Sequence, residues 1–159
     1  MSDKWKPYTT IFTRKYRRLP HWQSPGAVHH IESRVLPGIT LSESDRSIVF
    51  DSQHYLNGRK YALHAAVVMP DHFHILCRPL EISPGSWASL SGIKHSLKSF
   101  TSHKMKKGEI WQDEAWDRII RDEEEYIRCR DYIIHNPVEA GLVATVEEYP
   151  WVWWEGKED

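Results

Sequence analysis

The sequence predicts an α+β fold in which helices pack on a central antiparallel sheet. Two observations support this. The predicted elements follow the order strand, helix, strand, strand, helix, helix, strand. The second and third strands are joined only by Pro70-Asp71, a pair typical of a tight turn. The chain has 159 residues, enough for one buried core. We therefore interpret residues 27–159 as a single domain and residues 1–26 as a basic N-terminal arm or lead-in.

The first strand and the first helix are predicted from β character followed by helical periodicity. Residues 27–35 have β character and precede a Pro-Gly pair, which predicts a strand. Residues 41–56 are predicted to be helical, because Ser42 and Ser44 are favourable N-caps and an Asn-Gly pair follows. Paired strands are then predicted at residues 61–69 and 72–78.

A second helix is predicted to begin at Ser83-Pro84 and to end at Gly108. Its apolar positions follow helical spacing: Trp87, Leu90, Ile93, Leu97 and Phe100.

A third helix is predicted over residues 123–136, stopped by Pro137. The aromatic tail around Pro150 is predicted to add a last strand or a packing cap.

Charge is distributed unevenly along the chain. The net charge of −1 alone argues against a general nucleic-acid binder. Residues 93–107 nevertheless contain no acidic side chain and five lysines: Lys94, Lys98, Lys104, Lys106 and Lys107. This pattern favours one basic face that holds phosphates, with a solvated helix face as the alternative.

Three features bear on the location of the protein and on its thiols. No apolar run approaches the roughly 20 residues of a membrane span. The N-terminus lacks the apolar stretch of a signal peptide, so we expect a cytoplasmic protein without membrane association. Cys77 and Cys129 show no disulfide framework or zinc spacing, which predicts two buried thiols.

His72-Phe73-His74 is the most informative motif of the chain. In an extended strand, residues i and i+2 point to the same face, so His72 and His74 are predicted to project together. Two adjacent imidazoles form half of a metal site. Alone, the motif is more often an ordinary polar strand face. Asp71 is interpreted as a turn residue, and the His29-His30 pair as structural or exposed.

The third predicted helix has a hydroxyl and an amide on one side. Tyr132 and Asn136 are four residues apart, so they stack at the edge of the apolar stripe. Placed there, the two side chains could supply a nucleophile and a third metal ligand.

Together these motifs resemble the single-tyrosine HUH transposases, and most closely the REP-associated tyrosine transposases. The resemblance covers roughly residues 27–154 and depends on three blocks in order. They are Met69 to His74, Trp111 to Asp122, and Tyr132 to Val143.

The resemblance implies a ferredoxin-like (RRM-like) core with His72, His74 and Asn136 as metal ligands and Tyr132 as nucleophile. It also implies cleavage and rejoining of single-stranded DNA beside palindromic hairpins, through a 5′-phosphotyrosine intermediate. The expected cofactor is Mg²⁺ or Mn²⁺, and the expected assembly is a monomer or homodimer. Backbone phosphates would be met by basic side chains: Lys94, Lys98, Lys104, Lys106, Lys107, Arg118 and Arg121.

The chemistry of a phosphodiester supports this assignment independently. A divalent cation neutralises the anionic phosphate and favours the phenolate of a nearby tyrosine, whose ordinary pKa is about 10. Two alternatives remain: a non-catalytic hairpin-binding protein of the same fold, and a metallohydrolase that uses an activated water.

Overall fold

The computed structural model describes residues 26–158, so the predicted N-terminal arm lies almost wholly outside the described residues. The strands are β1 (His29–Arg34), β2 (Tyr61–Val68), β3 (His72–Pro79), β4 (Glu81–Ser83), β5 (Ser86–Trp87), β6 (Trp116–Ile119) and β7 (Val152–Trp154). The helices are α1 (Glu43–Tyr55), α2 (Leu90–Met105) and α3 (Glu123–Glu139), followed by a 3₁₀ turn at Val146–Glu148. Among these helices, none is long and apolar enough to cross a membrane.

Five strands form one antiparallel sheet in the order β6-β1-β3-β2-β7. The run β1-α1-β2-β3-α2-β6 has the ferredoxin-like arrangement, in which each helix connects two parallel strands that have another strand between them. β7 extends the sheet beyond β2. The α+β prediction is confirmed. β6 was not predicted, because its four residues are too few to show alternation.

The two faces of the sheet are covered by different helices. Ile31, Phe73 and Ile75 belong to a buried cluster with α1 and α2 residues such as Val49 and Leu97. On the opposite face, a second cluster joins strand residues to α3: Val67, Leu76, Val152, Cys129 and Ile133. Among the described helices, α3 is the one that packs on this second face, and the polar side chains at alternate positions of β1 and β3 point to the same face.

A β-bulge in β2 changes which residues face α3. The register with β3 shifts between Leu63 and Ala65, so that His64 is the extra residue. Leu63 packs on the α1–α2 face, whereas Ala65 packs on the α3 face. The His64 ring accordingly reaches α3, where its Nδ1 lies 2.8 Å from the Tyr126 hydroxyl.

The N-termini of α1 and α2 are fixed by serine caps. Ser42 caps α1 in a reciprocal capping box with Asp45, so Ser42 and not Ser44 is the cap. α2 begins at Leu90, later than predicted, and Ser89 accepts from the Gly92 amide at 2.9 Å. Of the Ser83-Pro84 pair that was expected to open this helix, Ser83 ends β4 and Pro84 lies in the turn of the β4–β5 hairpin.

α3 begins as predicted and ends one turn later. Asp122 caps it by accepting from the Glu125 amide at 2.9 Å. The prediction that Pro137 stops the helix is wrong, because α3 continues to Glu139. A proline in the last turn removes only one backbone hydrogen bond, and burial of its ring offsets that loss.

Candidate active site

The imidazoles of His72 and His74 lie side by side at the start of β3. Both residues are buried, and their ring centroids are 4.9 Å apart with the planes perpendicular. β1 runs antiparallel to β3 and places Glu32 opposite His74. The predicted projection of the two histidines onto one sheet face is therefore present, and this face is the one that α3 covers.

His72 is oriented by the turn residue that precedes it. Its Nδ1 lies 2.6 Å from Oδ1 of Asp71, and Arg34 approaches the same carboxylate at 3.7 Å. Burial tends to raise the pKa of Asp71, but the hydrogen bond to His72 and the charge of Arg34 lower it overall. With the carboxylate bonded to Nδ1–H, Nε2 of His72 keeps its electron pair for a ligand.

His74 has a different partner on its Nδ1 atom, the Nε2 of His30 at 2.8 Å. Both rings are almost fully buried. Burial lowers the pKa of His74 well below its usual range, and the neighbouring His30 and His72 lower it further. Burial, with a smaller contribution from Arg118, lowers the pKa of His30 to about 3. Both rings are therefore neutral at pH 7.

Tyr132 brings its phenol ring to this histidine cluster from α3. The Tyr132 ring centroid lies 5.5 Å from that of His74 and 6.4 Å from that of His30. Asn136, one turn later and buried, hydrogen bonds to the Tyr132 side chain. The four side chains predicted to carry the chemistry are thus gathered on one face of the sheet.

The protonation of Tyr132 is set by opposing effects. Burial raises its pKa, and the negative charge of Glu32 raises it further. The hydrogen bond from Asn136 and the charge of Arg34 oppose this rise without cancelling it. Tyr132 is therefore a neutral phenol near pH 7, and a nearby positive charge would be needed to favour its phenolate.

The donor atoms present fit a divalent cation. Nε2 of His74 is buried without a hydrogen-bond partner among residues 26–158, which is costly unless a ligand uses its electron pair. Within the same residues, no three His, Cys, Asp or Glu side chains form a metal-binding group. The candidate set is instead two imidazoles and the amide of Asn136, whose carbonyl oxygen is a donor that suits Mg²⁺ or Mn²⁺.

Several of the predicted phosphate-binding cations are engaged with the protein itself. Lys94 forms an ion pair with Asp117, and Lys98 donates to the carbonyls of Gln112 and Asp113 at 2.5 and 2.7 Å. Lys107 pairs with Asp45 at 2.6 Å. Lys94 and Lys98 thus link α2 to β6 and the residues just before it, and Lys107 links the end of the α2 region to the first turn of α1.

The remaining predicted cations come before and after residues 112–117 in the sequence. Lys104 lies over the Phe100 ring at 5.5 Å, and Lys106 ends α2 in a left-handed conformation. Arg118 lies over the Trp116 ring at 4.8 Å, and Arg121 pairs with Glu125 at 3.0 Å. Binding of phosphates by these basic residues stays a prediction.

The sequence did not indicate the roles of His30 and Asp71. His30 was interpreted as structural or exposed, yet strand alternation places it with Glu32 on the site face. Asp71 was interpreted as a turn residue, and it also holds His72. A polar residue at alternate positions of β1 was the available signal for His30.

Fold and site together define a class: a ferredoxin-like domain that presents a His-x-His strand motif to a tyrosine on a following helix. No family model matches the chain. A REP-associated tyrosine transposase of Escherichia coli is 33% identical over 92 residues, which cover 58% of this chain and 53% of the relative. A protein of Haemophilus influenzae, provisionally named a REP-associated tyrosine transposase, is 29% identical over 97 residues, or 55% of each chain.

A solved structure also resembles the chain. It is that of a REP-associated tyrosine transposase bound to a REP hairpin, with a TM-score of 0.71 and 22% sequence identity. The match covers 83% of this chain and 79% of that one, and it supports the fold. The chain is thus similar in sequence to REP-associated tyrosine transposases and similar in fold to one of them, in line with the resemblance of its motifs. It matches about half the length of the curated relatives.

Proposed function

We propose that the protein is a single-strand DNA transposase that cleaves and rejoins DNA beside palindromic hairpins. The observation that carries the proposal is the convergence of Tyr132 with the His72–His74 pair, at 5.5 Å between the Tyr132 and His74 rings. The hydrogen-bonded Asn136 lies beside the same phenol. These are the residue types needed for nucleophilic attack on a phosphodiester.

In the proposed reaction, the Tyr132 hydroxyl oxygen attacks phosphorus and loses its proton to solvent. The bond from phosphorus to the 3′-oxygen breaks, and that oxygen leaves and takes up a proton as a free 3′-hydroxyl. In the second half, a 3′-hydroxyl attacks the 5′-phosphotyrosine, the bond to Tyr132 breaks, and the phenol is restored. No ATP is required, because the phosphotyrosine conserves the energy of the broken linkage.

The chain supplies orientation and electron pairs for this reaction. A Mg²⁺ or Mn²⁺ ion held by His72, His74 and Asn136 would neutralise the phosphate oxygens. Asn136 holds the Tyr132 hydroxyl, and Asp71 fixes the ring of His72. The burial of His74 keeps its imidazole neutral and therefore able to act as a ligand.

The decisive experiment uses end-labelled hairpin DNA with a single-stranded flank and Mg²⁺ or Mn²⁺. We expect a covalent protein–DNA adduct that survives denaturation and disappears in Tyr132→Phe, because the phenylalanine has no nucleophilic oxygen. Tyr126→Phe is the matched control, since Tyr126 lies on the same helix but bonds to His64. This control should retain the adduct.

The other outcomes identify the alternatives. Cleavage without an adduct, unaffected by Tyr132→Phe, would indicate a metallohydrolase that uses water. Binding of the hairpin without cleavage in either metal would indicate a non-catalytic DNA-binding protein. An adduct that persists in Tyr132→Phe would assign the nucleophile to another residue.

A further inference from the structure

His30 has a position that its sequence context did not reveal. It is 2% exposed and lies on β1, on the same sheet face as Glu32 and the histidine pair. Its Nε2 lies 2.8 Å from Nδ1 of His74, within a fully buried contact. Two neutral imidazole nitrogens at this distance share one hydrogen, so the bond fixes a tautomer of each ring.

The direction of this hydrogen bond decides what His74 can do. If His30 donates, the remaining hydrogen of neutral His74 sits on Nε2, which then has no electron pair for a ligand. If His74 donates from Nδ1, its Nε2 keeps that electron pair. Nε2 of His74 and Nδ1 of His30 both lack a hydrogen-bond partner among the described residues, so either direction leaves one buried N–H unsatisfied. The carboxylate of Glu32 favours a hydrogen on Nδ1 of His74, because its Oε1 lies 3.8 Å from that atom.

The His30 ring is held in place by neighbouring aromatic rings. The Trp116 ring meets it edge to face, with centroids 4.8 Å apart and planes at 82°. The Tyr132 ring lies on another side at 6.4 Å. These contacts limit rotation of the imidazole, so its Nε2 stays directed at His74.

We propose that His30 is a positioning residue whose Nε2 accepts the Nδ1 hydrogen of His74 and so leaves the Nε2 electron pair of His74 for the site. It acts on His74 as Asp71 acts on His72. The inference deepens the proposed function, because the oriented electron pair serves the cation that the proposed reaction uses. Partners of this kind raise metal affinity by fixing ring orientation and tautomer.

The tautomer is measured without metal, by imidazole ¹⁵N–¹H correlation spectra of the full chain at neutral pH. We expect His74 to be protonated at Nδ1 in the wild type and in His30→Gln, whose amide oxygen can also accept. In His30→Phe, which keeps a ring but has no acceptor, the Nε2-protonated form should increase. A wild-type His74 protonated at Nε2 would overturn the inference, whatever the metal results.

Metal affinity gives a second readout, by titration with Mn²⁺ followed by electron paramagnetic resonance. His30→Phe should bind Mn²⁺ about 10–100-fold more weakly, and His30→Gln should recover most of that loss. His29→Phe is the matched control, because His29 is equally buried in β1 but shares the opposite face with Ile31. Wild-type affinity in His30→Phe, with native circular dichroism, would refute the positioning role. If His30→Phe does not fold, His30→Leu takes its place.

The two proposals fail in different ways. A wild type that binds Mn²⁺ with the expected His74 tautomer but forms no DNA adduct would refute the proposed function and leave the role of His30 intact. An adduct formed by a wild type with the opposite tautomer would do the reverse.

Discussion

At the scale of single residues, the two histidines of the strand motif have different partners on Nδ1. His72 meets the carboxylate of Asp71 at 2.6 Å, and His74 meets the imidazole of His30 at 2.8 Å. A carboxylate is a strong acceptor and increases the basicity of the ring to which it bonds, whereas a neutral imidazole is a weaker one. The Nε2 atoms of the two proposed ligands therefore differ in basicity, although both histidines belong to the same His-x-His motif.

Asp71→Ala tests the carboxylate side of this arrangement. We expect the variant to bind Mn²⁺ at least 10-fold more weakly, because the His72 ring loses the acceptor that fixes its tautomer. Affinity is measured by the same Mn²⁺ titration. Asp51→Ala, at an exposed position of α1, should leave affinity unchanged. Equal affinity in both variants would mean that Asp71 serves only the turn.

At the scale of elements, the start of α1 is tied to the end of α2. Asp45 belongs to the capping box of α1, and its carboxylate also bonds to Lys107 at 2.6 Å. Burial tends to raise the pKa of Asp45, but the bonds from Lys107 and Ser42 lower it overall. Its ionised form therefore stabilises the fold. The lysine that the charge pattern assigned to phosphate has a structural contact here.

Lys107→Ala is expected to destabilise the protein in a pH-dependent way. A carboxyl whose pKa is lowered by folding contributes stability above its unfolded value of about 4, and loses it as the pH falls through the folded value. The wild type should therefore be more stable than Lys107→Ala at pH 7, and the difference should shrink below about pH 4. Urea unfolding at a series of pH values measures it.

Lys104→Ala is the control for this series, because Lys104 contacts the Phe100 ring and not a carboxylate. Its stability relative to the wild type should not vary with pH over the same range. A pH-independent difference for Lys107→Ala would show that Asp45 does not depend on this lysine.

Strand β6 and the bulge in β2 complete the site at this scale. β6 pairs with β1 and places Trp116 beside the His30 ring. The bulge at His64 moves Ala65 and Val67 to the face that packs on α3. Ala65 packs against α3, and its small side chain leaves room for the helix to approach the sheet. This packing positions the helix that carries Tyr132.

At the scale of the whole molecule, the lysines of α2 have two candidate roles, which are contacts within the protein and contacts with DNA phosphates. Lys94 and Lys98 bond to the segment at residues 112–117, while Lys104 lies further along the helix. A cation that is paired within the protein gains less from a phosphate, since the internal partner has to be given up. The assignment of all five lysines to DNA remains a prediction.

Salt dependence of hairpin binding separates these roles. If Lys104 meets a phosphate of the single strand, Lys104→Ala should reduce the slope of log K against log salt by about 0.7, with unchanged unfolding free energy. Lys94→Ala, in contrast, should lower the unfolding free energy, because Asp117 loses its partner. Fluorescence anisotropy between 50 and 300 mM salt measures the slope, and urea unfolding measures the unfolding free energy. Identical slopes for the wild type and both variants would assign these lysines to the protein alone.

The amino-acid sequence by itself determined the helices, the paired strands around His72 and His74, and the i, i+4 relation of Tyr132 and Asn136. Each of these follows from local periodicity and turn chemistry, which act over a few residues. The family resemblance followed from the same motifs. The late start of α2 and the extension of α3 past Pro137 were missed, because competing turn and packing effects decide element ends.

Only the tertiary structure decided which residues meet across the sheet. The pairing of β1 with β3 brings His30 to His74 over 44 positions of sequence, and the bulge in β2 sets the face on which α3 rests. The distribution of charge along the sequence likewise could not predict which groups within the protein the lysines contact. The register of the strands and the position of α3 depend on the packing of the whole core, so they cannot be predicted from a local pattern of residues.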